Sequence, residues 1–399
     1  MTTNEAAVKK SGSIWNPTFI SICLINAFMN LSKQMSNSIL SKYIDSLGAT
    51  ATIVGLVSST FALAALIFKF VSGPALDSFN RKHIIIGAML ALGISFTGYS
   101  MSATVPMVIV FRFLQGAAQA FTATCLLTMA SDTLPAEKFS TGVGMFALFE
   151  TVAQAIGPTV GLGLMDIVGF RMTFLISAVL MFVSAIVVVF YKQPPFVKMK
   201  KFRISFDSIF AKESLKYAVL LFIFNFAFCV VSTYLVIYAA LRGVENNIGL
   251  YFTLYACTML ISRPLIGGLT DRFGASKVLI PALGCFIISY MIISISASLP
   301  MFLLASFISA FGTGACQPAV QALCMKCVSS DRRGAASSTC YIANDLGTLI
   351  GAPVAGMIVE NWGYTVMWRV MTIPILFAIL LVLCIRKDIK RVEDSFAAR

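Results

Sequence analysis

Gly73-Pro74-Ala75-Leu76-Asp77-Ser78-Phe79-Asn80-Arg81-Lys82 separates two apolar stretches, and Gly267-Gly268-Leu269-Thr270-Asp271-Arg272-Phe273-Gly274 repeats its pattern 194 residues later. The same offset aligns Gly55 with Gly249, Glu137 with Asp331, Gly157 with Gly351 and Gly169 with Gly363, without a gap. A chain that matches itself in one register over half its length is two copies of one unit. Apolar stretches near the roughly 20 residues that a helical membrane crossing needs define that unit. They run over about 17–44, 52–76, 83–103, 105–130, 139–165 and 171–191, and again over 214–241, 246–269, 277–297, 300–326, 333–359 and 364–386. Six crossings per copy return the chain to the side it started from, so the copies are parallel about an axis along the membrane normal. The expected fold is all-α, with 12 transmembrane helices in two pseudo-symmetric six-helix bundles. The N-terminal bundle covers 1–191, a basic cytoplasmic linker with Pro194 and Pro195 covers 192–212, and the C-terminal bundle with its short cytoplasmic tail covers 213–399.

Composition excludes other classes. With 58% hydrophobic and 12% charged residues and a mean hydropathy of +0.88, the chain cannot hide its apolar surface in water, which rules out a soluble enzyme. The single His removes most His-based catalysis and metal chemistry. The ten Cys are scattered through apolar segments as reduced packing residues, and Cys324-x-x-Cys327 supplies at most two of the four ligands of a zinc site. No metal, no cofactor and, without a phosphate-cradling Gly-x-x-x-x-Gly-Lys loop, no ATP hydrolysis is expected. A net charge of +13 would suit nucleic acid, but its placement speaks for lipid and topology. With the N-terminus inside, 22 of the 30 cations fall on that side and 4 on the other, which places both termini in the cytoplasm and the chain in the cell membrane. The linker then rests as a solvated tether on anionic headgroups. The first span is no cleaved signal peptide, being too long and carrying Asn26, Asn30, Lys33 and Asn37.

The two loop sequences resemble the motif between the second and third spans of the major facilitator superfamily and its copy in the second half. Arg112-Phe113-Leu114-Gln115-Gly116 resembles the Arg-containing motif of that family's fourth span, and Gly157-Pro158-x-x-Gly161 the fifth-span motif of its proton-coupled antiporters. Ser78 stands where the family usually has a basic residue, Asn80 and Leu162 where it has Gly; Asn80 tolerates the left-handed turn that Gly would supply. The likeness covers essentially the whole chain. It implies alternating access about a seam between the bundles, proton-coupled export of small amphipathic or drug-like molecules, and a chain functional as a monomer.

The ionisable residues inside the spans are Lys33, Lys69, Arg112, Glu150, Arg263 and Asp345. Insertion scales put an Arg, Lys or Asp at a helix centre at about 2.5–3.5 kcal/mol, so such groups demand a use or a route to the interface. Glu150 and Asp345 offer one midplane carboxylate per half; with Arg112 they form the expected proton-coupling group, the alternative for Glu150 being a permanent pair with Arg112 or Lys33. Asn26, Asn30, Lys33 and Asn37 fall on one stripe at 100° per residue and, with Lys69, Arg263 and Asn344, are the expected substrate-cavity residues. Lys69 and Arg263 are repeat equivalents, read either as an anion clamp or as gate residues. Gly73, Asp77, Arg81, Gly267, Asp271 and Arg272 are the expected gate at the cytoplasmic loops, and Gly157, Pro158, Gly161, Gly347 and Gly351 the helix-packing motif. Four cations against two acids also motivate a second reading, an organic-anion (carboxylate) uptake or exchange porter using the intramembrane Lys and Arg residues.

Overall fold

A computed structural model of the chain describes residues 17–131, 133, 139–190, 210–245, 247–328 and 333–397. Every extended element among them is an α-helix: α1 (Pro17–Ser46), α2 (Ala51–Ser78), α3 (Arg81–Met101), α4 (Val105–Ser131), α5 (Phe139–Phe190), α6 (Leu215–Leu241), α7 (Gly249–Phe273), α8 (Ala275–Ile295), α9 (Leu299–Lys326), α10 (Arg333–Val370) and α11 (Thr372–Ala397). Eight helical stretches among the described residues are long and apolar enough to cross a membrane, and two of them, of 43 and 58 residues, are long enough to cross twice. α1 is not among the eight because of the same polar stripe that excludes a signal peptide.

The repeat appears in the backbone at equivalent points. α5 turns sharply at Gly169 (φ 77°) and α10 at Gly363 (φ 82°), positions separated by the 194-residue offset. Each Gly takes a left-handed conformation that a side chain would disfavour, so the fifth and sixth spans, like the eleventh and twelfth, join without an intervening loop. The two cytoplasmic-loop motifs differ. Asn80 is extended (φ −64°, ψ 115°) and caps α3, its side chain accepting from Lys82 N, whereas Gly274 is left-handed (φ 85°). Asn80 tolerates the left-handed turn but does not take it: an Asn amide that can accept from the first turn of a helix gains a capping bond that the left-handed form would forfeit. At the other copy, Glu393 of α11 accepts from Ala275 N at 2.8 Å, so α8 receives its cap from the helical tail.

Within the N-terminal bundle α1 lies on α5, and a Cβ added at Gly157 or Gly161 would come within 2.5 Å of Gln34 Cβ or 2.6 Å of Met35 O. In the C-terminal bundle Gly347 brings α10 onto α6, where a Cβ would lie 2.6 Å from Phe222 O, and Gly351 meets Phe226 in the same way. The glycines thus permit backbone-to-backbone packing of matched helix pairs. Large apolar side chains such as Ile167, Phe190, Val110 and Leu241 stay exposed on the outer faces, as a lipid-facing surface requires.

Candidate functional site

The bundles meet along two seams, α2 against α10 and α5 against α7, which the repeat relates to each other. Ser59 Oγ donates to Leu349 O at 2.7 Å, and Thr253 Oγ1, its equivalent, donates to Ala155 O at 2.8 Å. Gly55 lies against Ala352 and Tyr234 Oη, and Gly249 against Thr159 Cα. Tyr234 Oη donates to both Ala51 O (2.9 Å) and Ala352 O (2.8 Å), binding three helices, and Glu360 Oε1 accepts from Thr52 N at 2.9 Å. All these contacts lie toward the end remote from the chain termini.

Among the described residues, the inter-bundle hydrogen bond nearest the termini is an ion pair, Lys69 Nζ to Asp345 Oδ2 at 2.5 Å. Ser59 and Leu349 are level across the seam. Lys69 lies about 15 Å of helix beyond Ser59, and Asp345 only about 6 Å beyond Leu349. The lysine arm therefore reaches back toward the middle of the protein, along the N-terminal tilt of its Cα–Cβ bond, and not toward its nearer helix end as a snorkelling Lys would. Side-chain exposures of 32% and 17% leave both groups partly open. The ammonium also sits 5.2 Å from the centroid of the half-exposed Tyr341 ring, one turn before Asp345.

Glu150 accepts from Gln154 Nε2 at 3.2 Å, and Lys33 of α1 is buried in the N-terminal bundle. Asn344, the repeat equivalent of Glu150, accepts from Asn225 Nδ2 of α6 at 2.5 Å. A carboxylate on α5 thus stands where α10 has a neutral amide bonded to α6.

The remaining expected residues distribute differently. Asn26 and Asn30 are buried inside the N-terminal bundle, Asn26 Nδ2 donating to Phe146 O at 3.4 Å and Asn30 Nδ2 to Asn26 Oδ1 at 2.8 Å. Asn37 Oδ1 accepts from Arg112 Nη1 (2.8 Å) and Gln115 Nε2 (3.1 Å), while Gln115 Oε1 accepts from Arg112 Nη1 and Tyr99 Oη, both at 2.7 Å. The Arg112 guanidinium also stacks 4.7 Å from the Phe61 ring centroid. Arg112 is seven residues from the remote end of α4 and Glu150 nineteen from Gly169. They differ in depth by roughly 18 Å, so the structure does not bring Arg112 to the two carboxylates. The surroundings of Gly73 and Gly267 and the side chains of Asp77, Arg263 and Asp271 lie outside what the structure describes, as does most of the linker at 192–212. Arg272 stacks over Phe273 at 5.3 Å, and Arg81 opens α3. Tyr341, Asn225 and Glu360 escaped the sequence reading. Tyr341 and Asp345 share a helix face by their four-residue spacing, and Asn225 is the one Asn of an apolar span, so two of the three carried a usable signal.

Helices long enough to cross a membrane, arranged as two parallel repeats with an ion pair at their seam among the described residues, fit the class of membrane transporters. A family model of the Major Facilitator Superfamily matches residues 22–247 and 244–399, and the chain belongs to that superfamily. It is 26% identical over 345 residues to an uncharacterized MFS-type transporter of Methanocaldococcus jannaschii, covering 83% of this chain and 88% of that one. It is 25% identical over 375 residues to the multi-drug resistance efflux pump PmrA of Streptococcus pneumoniae, covering 88% and 92%. A mutant of the nucleoside transporter NupG has the same fold, with a TM-score of 0.81 at 12% identity over 92% of this chain and 99% of that one.

Proposed function

We propose that the protein exports small amphipathic or drug-like molecules in exchange for protons, by alternating access across the cell membrane, and that its two bundles are the rocking units on either side of the 192–212 linker. The Lys69–Asp345 pair carries this reading: among the described residues it is the tie between the bundles nearest the termini, and it is made through a carboxylate that can hold either a proton or a cation. With both termini cytoplasmic, the end held together by these seams is extracellular. Rocking to the outward state would part the seams that Ser59, Tyr234 and Thr253 close, and would place Asp345 in a new environment. A carboxylate whose pairing and hydration change with the state has an affinity for protons that changes too, which is the physical requirement for coupling. Glu150, the midplane carboxylate of the N-terminal half, is the second group proposed to carry the proton. Similarity to PmrA supports export over uptake.

The test is transport in proteoliposomes with imposed pH and potential gradients. Glu150→Gln should spare substrate exchange and weaken accumulation driven by the pH gradient, and Asp345→Asn should weaken that accumulation as well. If both variants accumulate substrate at the native rate and with native pH dependence, the proton takes another path.

A further inference from the structure

Lys69 and Asp345 come from opposite bundles, are both partly exposed, and form, among the described residues, the tie between the bundles nearest the termini, with the half-exposed ring of Tyr341 beside them. Nothing else in the described seams presents a cation and an anion together. Their charges compensate each other, so a ligand entering between them must preserve that compensation. A cationic ligand that takes Asp345 strands the Lys69 ammonium, and an anionic ligand that takes Lys69 strands the Asp345 carboxylate. Leaving one member of a partly desolvated pair without a partner is costly in either case. A dipolar ligand avoids the penalty, because its carboxylate accepts from Lys69 Nζ while its ammonium donates to Asp345 Oδ2. The unbranched Lys arm has the reach and freedom to open the gap. The Tyr341 ring offers an apolar face for the ligand body.

We infer that the Lys69–Asp345 pair with Tyr341 is a binding site for zwitterions, small molecules bearing a carboxylate and an ammonium on an aromatic or apolar body. This deepens the transporter reading, on which it rests, by giving the class of substrate, but it is a statement about binding without any gradient and can fail while proton-coupled export stands.

Four probes of one shape separate the charges: tryptophan (zwitterion), N-acetyltryptophan (anion), tryptophanamide (cation) and N-acetyltryptophanamide (neutral). Binding to the purified full chain is measured at pH 7 by calorimetry, with thermal shift as a second readout. Tryptophan should bind at least about tenfold more tightly than each blocked form, the equivalent of one well-made charged contact. Asp345→Asn should move the preference to N-acetyltryptophan, and Lys69→Gln to tryptophanamide. The double variant should bind all four within about twofold, since neither charge is then compensated or stranded. The exchanged variant Lys69→Asp with Asp345→Lys should restore the zwitterion preference. Equal binding of the four probes by the native chain overturns the proposal, as does a preference for tryptophan that survives in the double variant. Absence of binding by all four also overturns it. The native panel decides the matter even if a variant fails to fold. Zwitterion binding that proves normal while pH-driven export is absent would leave this site standing and refute the coupling reading.

Discussion

The α2–α10 and α5–α7 seams begin alike and end differently. In each, a hydroxyl one turn beyond a close-packed Gly donates to a carbonyl of the opposite bundle: Ser59 to Leu349 O, Thr253 to Ala155 O. Further in, α2–α10 has the Lys69–Asp345 pair, whereas the repeat equivalents on α5–α7 are Arg263 and Thr151, a cation with a hydroxyl and no acid. At the remote end Glu360 accepts from Thr52 N across the first seam, and Thr159 and Thr253 share a hydroxyl contact of 2.6 Å across the second. Two seams built from one repeat can share neutral clamps, because a hydroxyl-to-carbonyl bond works equally well in either copy. Among the described residues, the ion pair between the bundles lies on the α2–α10 seam.

The largest way to break the comparison is steric. Gly55→Leu and Gly249→Leu both place a side chain where an opposing backbone now lies, and overpacking of this kind costs about 1–3 kcal/mol. Because the clash is between bundles, the bundles can escape it by parting, which shifts the closed-to-open balance by roughly 5- to 150-fold. Spin-label distances between the 47–50 and 242–245 loops should lengthen in both variants while thermal stability changes little. Gly161→Leu, whose clash with α1 is inside one bundle, should instead lower the melting temperature; equal melting losses in all three would show that the seams are not separable.

Next comes the charge asymmetry. Asp345→Asn should reduce pH-driven accumulation by at least about tenfold, whereas Thr253→Val on the neutral seam should leave it within about twofold. The effect on stability is smaller, about 1 kcal/mol or less, because the pair is partly exposed and solvent screens it. Lys69→Gln added to Asp345→Asn should recover most of that loss without restoring coupling. A Thr253→Val variant as defective in coupling as Asp345→Asn would abolish the distinction between the seams.

The neutral clamps supply a sharper but smaller test. Ser59→Ala and Thr253→Val should each weaken closure by about 1 kcal/mol, equally for the two seams and additively in the double variant. Unequal losses would mean that the shared geometry hides unequal work.

The smallest effect is expected at Glu360. Hydrogen bonds from the Thr50 side chain and from Thr52 hold its carboxyl below the usual value for Glu. A depressed value in the closed arrangement means that the cap is fully present above the ordinary carboxyl range and is lost as pH falls through the depressed one. Closure measured by the same loop distances should therefore be flat around neutral pH and loosen only in the acid range, and Glu360→Gln should remove that acid step. An acid step that persists in the variant belongs to another group.

Much of the fold was legible because it follows from one-dimensional quantities. Apolar length, the 194-residue offset and the lysine and arginine tally need no knowledge of which helices touch, and α5 and α10 turn at the Gly169 and Gly363 that the offset had already paired. The glycine pattern was likewise readable, since Gly157 and Gly161 against α1, and Gly347 and Gly351 against α6, do what small residues at four-residue spacing do in membrane helices. Arg112 was harder. Its guanidinium fork is occupied by the amides of Asn37 and Gln115, and neutral amides leave no charge pattern from which a partner can be inferred.

What the sequence by itself determined is a membrane protein of two parallel six-helix repeats with ionisable residues at mid-depth, because crossing a bilayer demands apolar length and a duplicated chain keeps its register. Which of those residues meet was decided only by tertiary structure. A span surrounded by lipid and other spans is apolar on nearly every face, so its local pattern does not say which face looks at which neighbour. Lys69 and Asp345, 276 residues apart, pair because two close-packed glycine contacts, at Gly55 and Gly356, bring α2 and α10 together and leave a lysine arm with one carboxylate in reach.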